Sequence, residues 1–179
     1  TGAATSIPLV VSIATERAAR GGVLIKDRLA LESMRTIDAV RFDKTGTLTR
    51  GEPVVTAIEP GAGFDADTVL ALAAAAEASS EHPLAKAIVR AATERGLTVP
   101  FATDFSSSPA VGVTATVDGH QIRVGGPYLL EEVDATEMAV AGRWREDGAI
   151  ILHAVRDGVV IGALALADEI RPESREAVD

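Results

Sequence analysis

The chain has 179 residues, of which 17 are Lys or Arg and 26 are Asp or Glu, giving a formal net charge of −9. That balance argues against a nucleic-acid binder, whose phosphate contacts need clustered cations. There is no cysteine, which excludes disulfides, thiolate nucleophiles and Cys-bound metals within these residues, and only 3% of residues are aromatic, so a core must be built from Ala, Val, Leu and Ile. The length allows one full domain, or one small domain with pieces of another.

Ala3 to Ala14 is almost entirely small or apolar, with Pro8 inside it, and Glu16, Arg17 and Arg20 follow. The run is shorter than the ~20 residues of a spanning helix and no basic segment precedes it, as a signal peptide would require. Two readings stay open: a buried helix of a soluble domain, or the end of a membrane helix with Arg17, Arg20, Lys26 and Arg28 on the cytoplasmic side. Gly22 to Ile25 reads as a short β-like stretch, Asp27 to Met34 as helical, and Ile37 to Phe42 as a strand ending in a glycine-containing turn. Val54 to Ile58 predicts another strand and Gly61 to Gly63 a loop. Asp65 or Asp67 is expected to cap a helix over Val69 to Ala78. Ser79 to His82 interrupts; Pro83 opens a second helix, which runs to Glu94 and stops at Gly96. Asp104 to Val124 predicts two or three strands, with Asp118-Gly119 as a hairpin turn. A short helix is expected over Pro127 to Val133 and a longer one over Ala135 to Glu146. Asp157-Gly158 joins the last strands, Ala149 to Val155 and Val159 to Ala165, and a helix begins at Arg171.

The strand before Asp43 delivers Asp43-Lys44-Thr45-Gly46-Thr47-Leu48-Thr49. A carboxylate at the carboxyl end of a strand stands where open α/β sheets place their active sites. Such a group can attack a phosphoryl centre and become an aspartyl-phosphate. The attack needs a divalent cation between the two anions and donors for the phosphoryl oxygens. Lys44, Thr45, Gly46 and Thr47 offer such donors.

This string resembles the phosphorylation signature of the P-type ATPases. The resemblance implies that Asp43 accepts the γ-phosphate of ATP, that Thr45 helps hold Mg²⁺ beside Asp43 through its carbonyl, and that Thr47 contacts the phosphate. Phosphatases of the same haloacid-dehalogenase-like fold carry an acid two residues after the nucleophile. Here that position is Thr45, so water lacks a local base and the phosphoenzyme is expected to be long-lived.

A second string, Glu77-Ala78-Ser79-Ser80-Glu81-His82-Pro83-Leu84, resembles the Ser-Glu-His-Pro motif of the heavy-metal (P1B-type) subgroup. By that resemblance His82 orients the adenine, Glu77 hydrogen-bonds it, and Glu81 and Pro83 shape the turn. The subgroup's Gly-x-Gly corresponds to Ala110-Val111-Gly112, with Ala110 in place of the first glycine. Its Gly-Asn pair corresponds to Gly125-Gly126. Asp168 and Arg171 match the hinge by which the chain returns to the phosphorylation domain.

The resemblance therefore implies an α/β and α+β protein. Its antiparallel-sheet nucleotide-binding domain, with helices, is inserted into a partial haloacid-dehalogenase-like Rossmannoid phosphorylation domain. The expected division is 1–33 for a membrane-helix end and stalk, 34–50 for the first piece of the phosphorylation domain, 51–165 for the nucleotide-binding domain and 166–179 for the return. The expected cofactors are ATP and Mg²⁺. The expected partners are a heavy or transition metal cation carried by membrane helices outside these residues, and the remaining phosphorylation and actuator domains; nucleic acid is not among them. The region is expected on the cytoplasmic side of a multi-pass membrane protein, binding ATP without turnover by itself. The alternatives are a stand-alone phosphatase of this fold, against which Thr45 argues, and a non-catalytic nucleotide-sensing module.

Overall fold

Two Asp-Gly pairs set the tight hairpins of the structure. Asp118 and Gly119 have φ of 49° and 79°, and Asp157 and Gly158 have 49° and 83°, the double left-handed geometry of a type I′ turn whose twist suits antiparallel strands. The computed structural model describes residues 3–27, 33 and 36–178. They divide into a unit ending at Phe42 and a second unit running from Asp43.

The first unit is built on helix α1 (Ala3–Arg20). Gly22, at φ 83°, ends it: Val23 N donates to Ala18 O at 2.8 Å and Gly22 N to Ala19 O at 3.0 Å, a Schellman cap. No described helix is long and apolar enough to cross a membrane. The β-like stretch expected over Gly22 to Ile25 is a turn and irregular chain. The helix expected over Asp27 to Met34, with Arg28, lies almost wholly outside the described residues.

The second unit holds one six-stranded sheet in the order β1-β6-β5-β4-β3-β2, antiparallel at every ladder. Its strands are β1 (Thr49–Pro60), β2 (Ala102–Ser108), β3 (Gly112–Val117), β4 (His120–Gly125), β5 (Ile150–Arg156) and β6 (Val159–Ile170). Pro53 is tolerated because β1 is an edge strand with irregular register between Thr49 and Pro53. Helices α2 (Ala66–Glu77) and α3 (Pro83–Glu94) cover one face. There Val69, Leu70 and Ile88 join Ile122, Val124, Leu164 and Leu166 in a core, each large side chain contributing about 1.5–3 kcal/mol on burial. Asp65 caps α2, its carboxylate accepting from Thr68 N at 2.8 Å. On the other face, α4 (Pro127–Glu132) and α5 (Val140–Glu146) flank a smaller cluster of Ala141, Ile151, Ala163 and Ala165 with Trp144 against it.

Two further expected elements are corrected. Ile37 to Phe42 forms no strand, because no described segment offers it a ladder; Ile37, Val40 and Phe42 are exposed. The helix expected from Ala135 begins only at Val140. Asp134, at φ 51°, ends α4 in a left-handed cap in which Ala135 N donates back to Leu130 O at 2.9 Å, and the chain leaves that cap without helical geometry. Residues 51 and 165, the expected domain boundaries, fall inside β1 and β6, which pair from Thr49↔Ile170 to Pro60↔Gly162.

Candidate functional site

Helix α2 ends at Glu77, and α3 begins at Pro83 with His82 as its cap. His82 Nδ1 accepts from Leu84 N at 3.2 Å. With Nδ1 accepting, a neutral ring carries its proton on Nε2. The cap thus fixes the imidazole and its tautomer with one hydrogen bond.

Opposite this corner, β3 and β4 approach unusually closely. Gly112 pairs with Gly125. A Cβ on Gly112 would stand 2.1 Å from Val124 O, and one on Gly125 would stand 1.9 Å from Val111 O. Both positions therefore demand glycine for the backbone itself. Between the corner and this strand pair lies a cavity of about 440 Å³, within the range of small-molecule sites. Glu77, His82, Gly112, Gly125 and Gly126 all line it, as do Ser80, Ala110 and the apolar Leu84, Val111 and Leu152. Glu81 lies outside this lining: it is exposed and its Oε2 pairs with Lys86 Nζ at 2.6 Å. Leu152 had no signal in the sequence, since only the sheet order brings β5 next to β4.

Glu77 is the buried acid of the site, at 6% exposure. Burial pushes its carboxyl up to about 7, against a smaller lowering by a hydrogen bond with Ser80. Ala110 has φ 66°, a left-handed backbone that favours glycine. Gly126 has open space where a side chain would project.

Asp43 is exposed and leads into a π-helical turn, Lys44–Leu48. Thr47 is exposed in that turn; the side chains of Lys44 and Thr45 lie outside the description. Gly46, at φ 78°, donates its N–H to Thr49 Oγ1 at 3.3 Å. Among the described residues no three His, Asp or Glu converge on a metal position. Asp43 and the Thr45 carbonyl would supply only part of the six oxygens that Mg²⁺ takes.

The two expected hinge residues tie the ends of β1 and β6. Asp168 accepts from Gly51 N at 3.0 Å, from Glu52 N at 3.1 Å and from the Thr49 hydroxyl. Arg171 donates from Nε to Thr49 O at 3.1 Å and from its N–H to Leu48 O at 2.9 Å. Ser174, which the sequence did not single out, donates its hydroxyl to Leu48 O at 2.8 Å.

A family model described as haloacid dehalogenase-like hydrolase matches residues 37–179. The chain is 42% identical over 173 residues to the copper-exporting P-type ATPase B of Archaeoglobus fulgidus, covering 97% of this chain and 25% of that protein. It is 42% identical over 175 residues to a probable cobalt/nickel-exporting P-type ATPase of Mycolicibacterium smegmatis, covering 98% and 26%. Among solved structures, a zinc-transporting PIB-type ATPase in its E2.Pi state superposes with a TM-score of 0.80 at 36% identity, over 94% of this chain and 28% of that one. The chain thus spans about a quarter of the length of the curated relatives it matches.

Proposed function

Because the chain belongs to the haloacid dehalogenase-like hydrolase family, we propose that it is the ATP-binding and phosphorylation region of a metal-cation-transporting P-type ATPase. The observation that carries this reading is the convergence of Glu77, His82, Gly112, Gly125 and Gly126 on one cavity, although the sequence scatters them over two helices and two strands. A purine fits its chemistry: apolar walls for the ring, one buried carboxyl and one oriented imidazole for its edge.

In the proposed reaction the Asp43 carboxylate attacks the γ-phosphorus of ATP; the bond to the β,γ-bridging oxygen breaks, and ADP leaves with that electron pair. Mg²⁺, partly held by Asp43 and the Thr45 carbonyl, supplies charge neutralisation when bound. Thr45 offers no general base to water two residues from the nucleophile, so the acyl phosphate persists long enough to drive a conformational change. Asp168 and Arg171 hold the strand ends from which the nucleotide unit departs. The transported species is proposed to be a heavy or transition metal, as in the copper, cobalt/nickel and zinc names of the relatives. The whole pump is proposed to sit in a membrane with this region on its cytoplasmic side.

Titration of the chain with ATP, followed by amide NMR, tests the site. Shifts are expected around Glu77, His82 and Gly112, weakened in His82→Gln. Shifts elsewhere, or none, refute it. In the full-length protein, Asp43→Asn is expected to abolish acid-stable labelling from γ-labelled ATP; retained labelling refutes the assigned nucleophile.

A further inference from the structure

The cavity's one acid is held in surroundings that do not favour its charge. Glu77 is 6% exposed and lines the cavity together with Leu84, Val111 and Leu152. Among the described residues no Lys or Arg lines that cavity. Among the described residues no other charged group lines the cavity, and several on the neighbouring elements are engaged elsewhere. On α3, Lys86 pairs with Glu81; on β4, Arg123 pairs with Glu132 and His120 with Asp157. On α2 itself Asp67 pairs with Arg95, and on β1 Glu52 pairs with Arg90. His153 on β5 is fully buried, and neither it, Asp104 on β2, Glu59 on β1 nor Asp168 and Glu169 on β6 line the cavity; β3 carries no charge. Of the titratable groups among the described residues, only His82 shares the lining with Glu77.

A carboxyl in this position reads a purine edge differently in its two forms. The neutral acid has one O–H donor and one carbonyl acceptor; the carboxylate only accepts. Adenine presents an acceptor at N1 beside a donor at its 6-amino group. Guanine presents two donors, N1–H and its 2-amino group. A neutral Glu77 therefore complements adenine with two hydrogen bonds, whereas an ionised one opposes the N1 lone pair and complements guanine.

We propose that Glu77 recognises the base in its protonated form, donating to adenine N1 and accepting from the 6-amino group, so that deprotonation both weakens ATP binding and shifts the base preference toward guanine. The inference rests on the cavity being the nucleotide site. Burial that pushes the carboxyl up to about 7 places this change within the physiological range. If only the neutral form holds adenine, the competent fraction falls about tenfold between pH 6 and pH 8, and the apparent affinity falls with it.

The test is calorimetric titration of the 179-residue chain with ATP and with GTP at both pH values, for the native protein and Glu77→Gln. The two triphosphate tails titrate alike, so the ratio of the two affinities isolates the base. Glutamine has the donor and acceptor of the neutral acid and no charge. The native preference for ATP is expected to shrink at least about tenfold at the higher pH, and Glu77→Gln to keep the low-pH preference at both. A native ratio that does not move, or a glutamine variant whose ratio follows the native one and so points to His82, overturns the proposal. ATP binding at neither pH overturns the nucleotide site and the proposal together; pH-independent ATP binding overturns the proposal alone. Carboxyl NMR of Glu77 in the native chain, with and without ATP, needs no variant: ATP must raise its titration midpoint, and a lowered or unmoved midpoint refutes the protonated mode.

Discussion

Gly112→Ala separates a glycine required by the fold from one required only by a ligand. Gly112 has φ 137°, and a Cβ there would stand 2.1 Å from Val124 O and 2.6 Å from Gly125 Cα. Both neighbours are backbone, so no side-chain rotation relieves the contact. Strands β3 and β4 would have to part by roughly 1 Å, which pulls apart the Gly112↔Gly125 pair and costs about 1–3 kcal/mol by overpacking. Holding an alanine at that φ adds about 1–3 kcal/mol of backbone strain. The sum, on the order of 2–6 kcal/mol, is a large share of the ~5–15 kcal/mol that stabilises an ordinary domain. Gly126→Ala is the control: φ is −82° and its Cβ would meet nothing within 4 Å, so its change should stay within about 0.5 kcal/mol. Urea unfolding followed by circular dichroism reads both. If Gly112→Ala unfolds within about 1 kcal/mol of the native chain yet loses ATP binding, the glycine serves the ligand and the steric reasoning is wrong.

Glu77→Gln should stabilise the ligand-free chain at alkaline pH. The gap between about 7 and the ordinary 4.5 corresponds to roughly 3 kcal/mol at most. A raised acid stabilises fully below 4.5 and loses that contribution as pH rises through about 7, so melting temperatures of native and variant should diverge across that window. His153 has the opposite sign. It is fully buried, neither ring nitrogen meets a hydrogen-bond partner among the described residues, and burial lowers its pKa from 6.5, with Glu137 opposing and Arg145 adding to the shift. Its neutral form contributes stability above 6.5 that is lost as pH falls below it. His153→Leu is expected to add about 1–3 kcal/mol and to flatten the acid limb of the stability profile. Ala110→Gly relieves ~1–2 kcal/mol of left-handed strain against ~0.5–1 kcal/mol of chain entropy, so the urea midpoint should rise slightly, whereas Ala110→Val should lower it. Asp168→Ala removes the acceptor of the Gly51 and Glu52 N–H groups, which should speed amide exchange at those two residues and cost about 1–2 kcal/mol in unfolding.

What was legible in the sequence was whatever a few adjacent residues decide. Asp118-Gly119 and Asp157-Gly158 can each adopt two consecutive positive φ values, so both hairpins are written in dipeptides. Asp65 and Pro83 mark helix starts by chemistry confined to one turn. Other segments misled because a distant partner decides their structure. Ile37 to Phe42 has strand composition, but a strand exists only against a ladder, and none forms there among the described residues. β1 and β6 run beyond their expected ends because each supplies the other's hydrogen bonds down to Thr49↔Ile170.

The same distinction explains the site. Glu77 and His82 stand in one short string, and a resemblance could name them. The state of Glu77 could not be read there, because burial sets it, and the cavity it lines is completed by Leu84, Val111 and Leu152, which lie far apart in the sequence. Gly112 and Gly125, scattered through a Ser-, Thr- and Val-rich stretch, look like turn residues until the register places them opposite one another. Both glycines also line the cavity that Glu77 lines. Substituting either glycine therefore removes both the strand contact and the shape of the ligand's seat, and only the stability measurement set beside the binding measurement can tell the two losses apart.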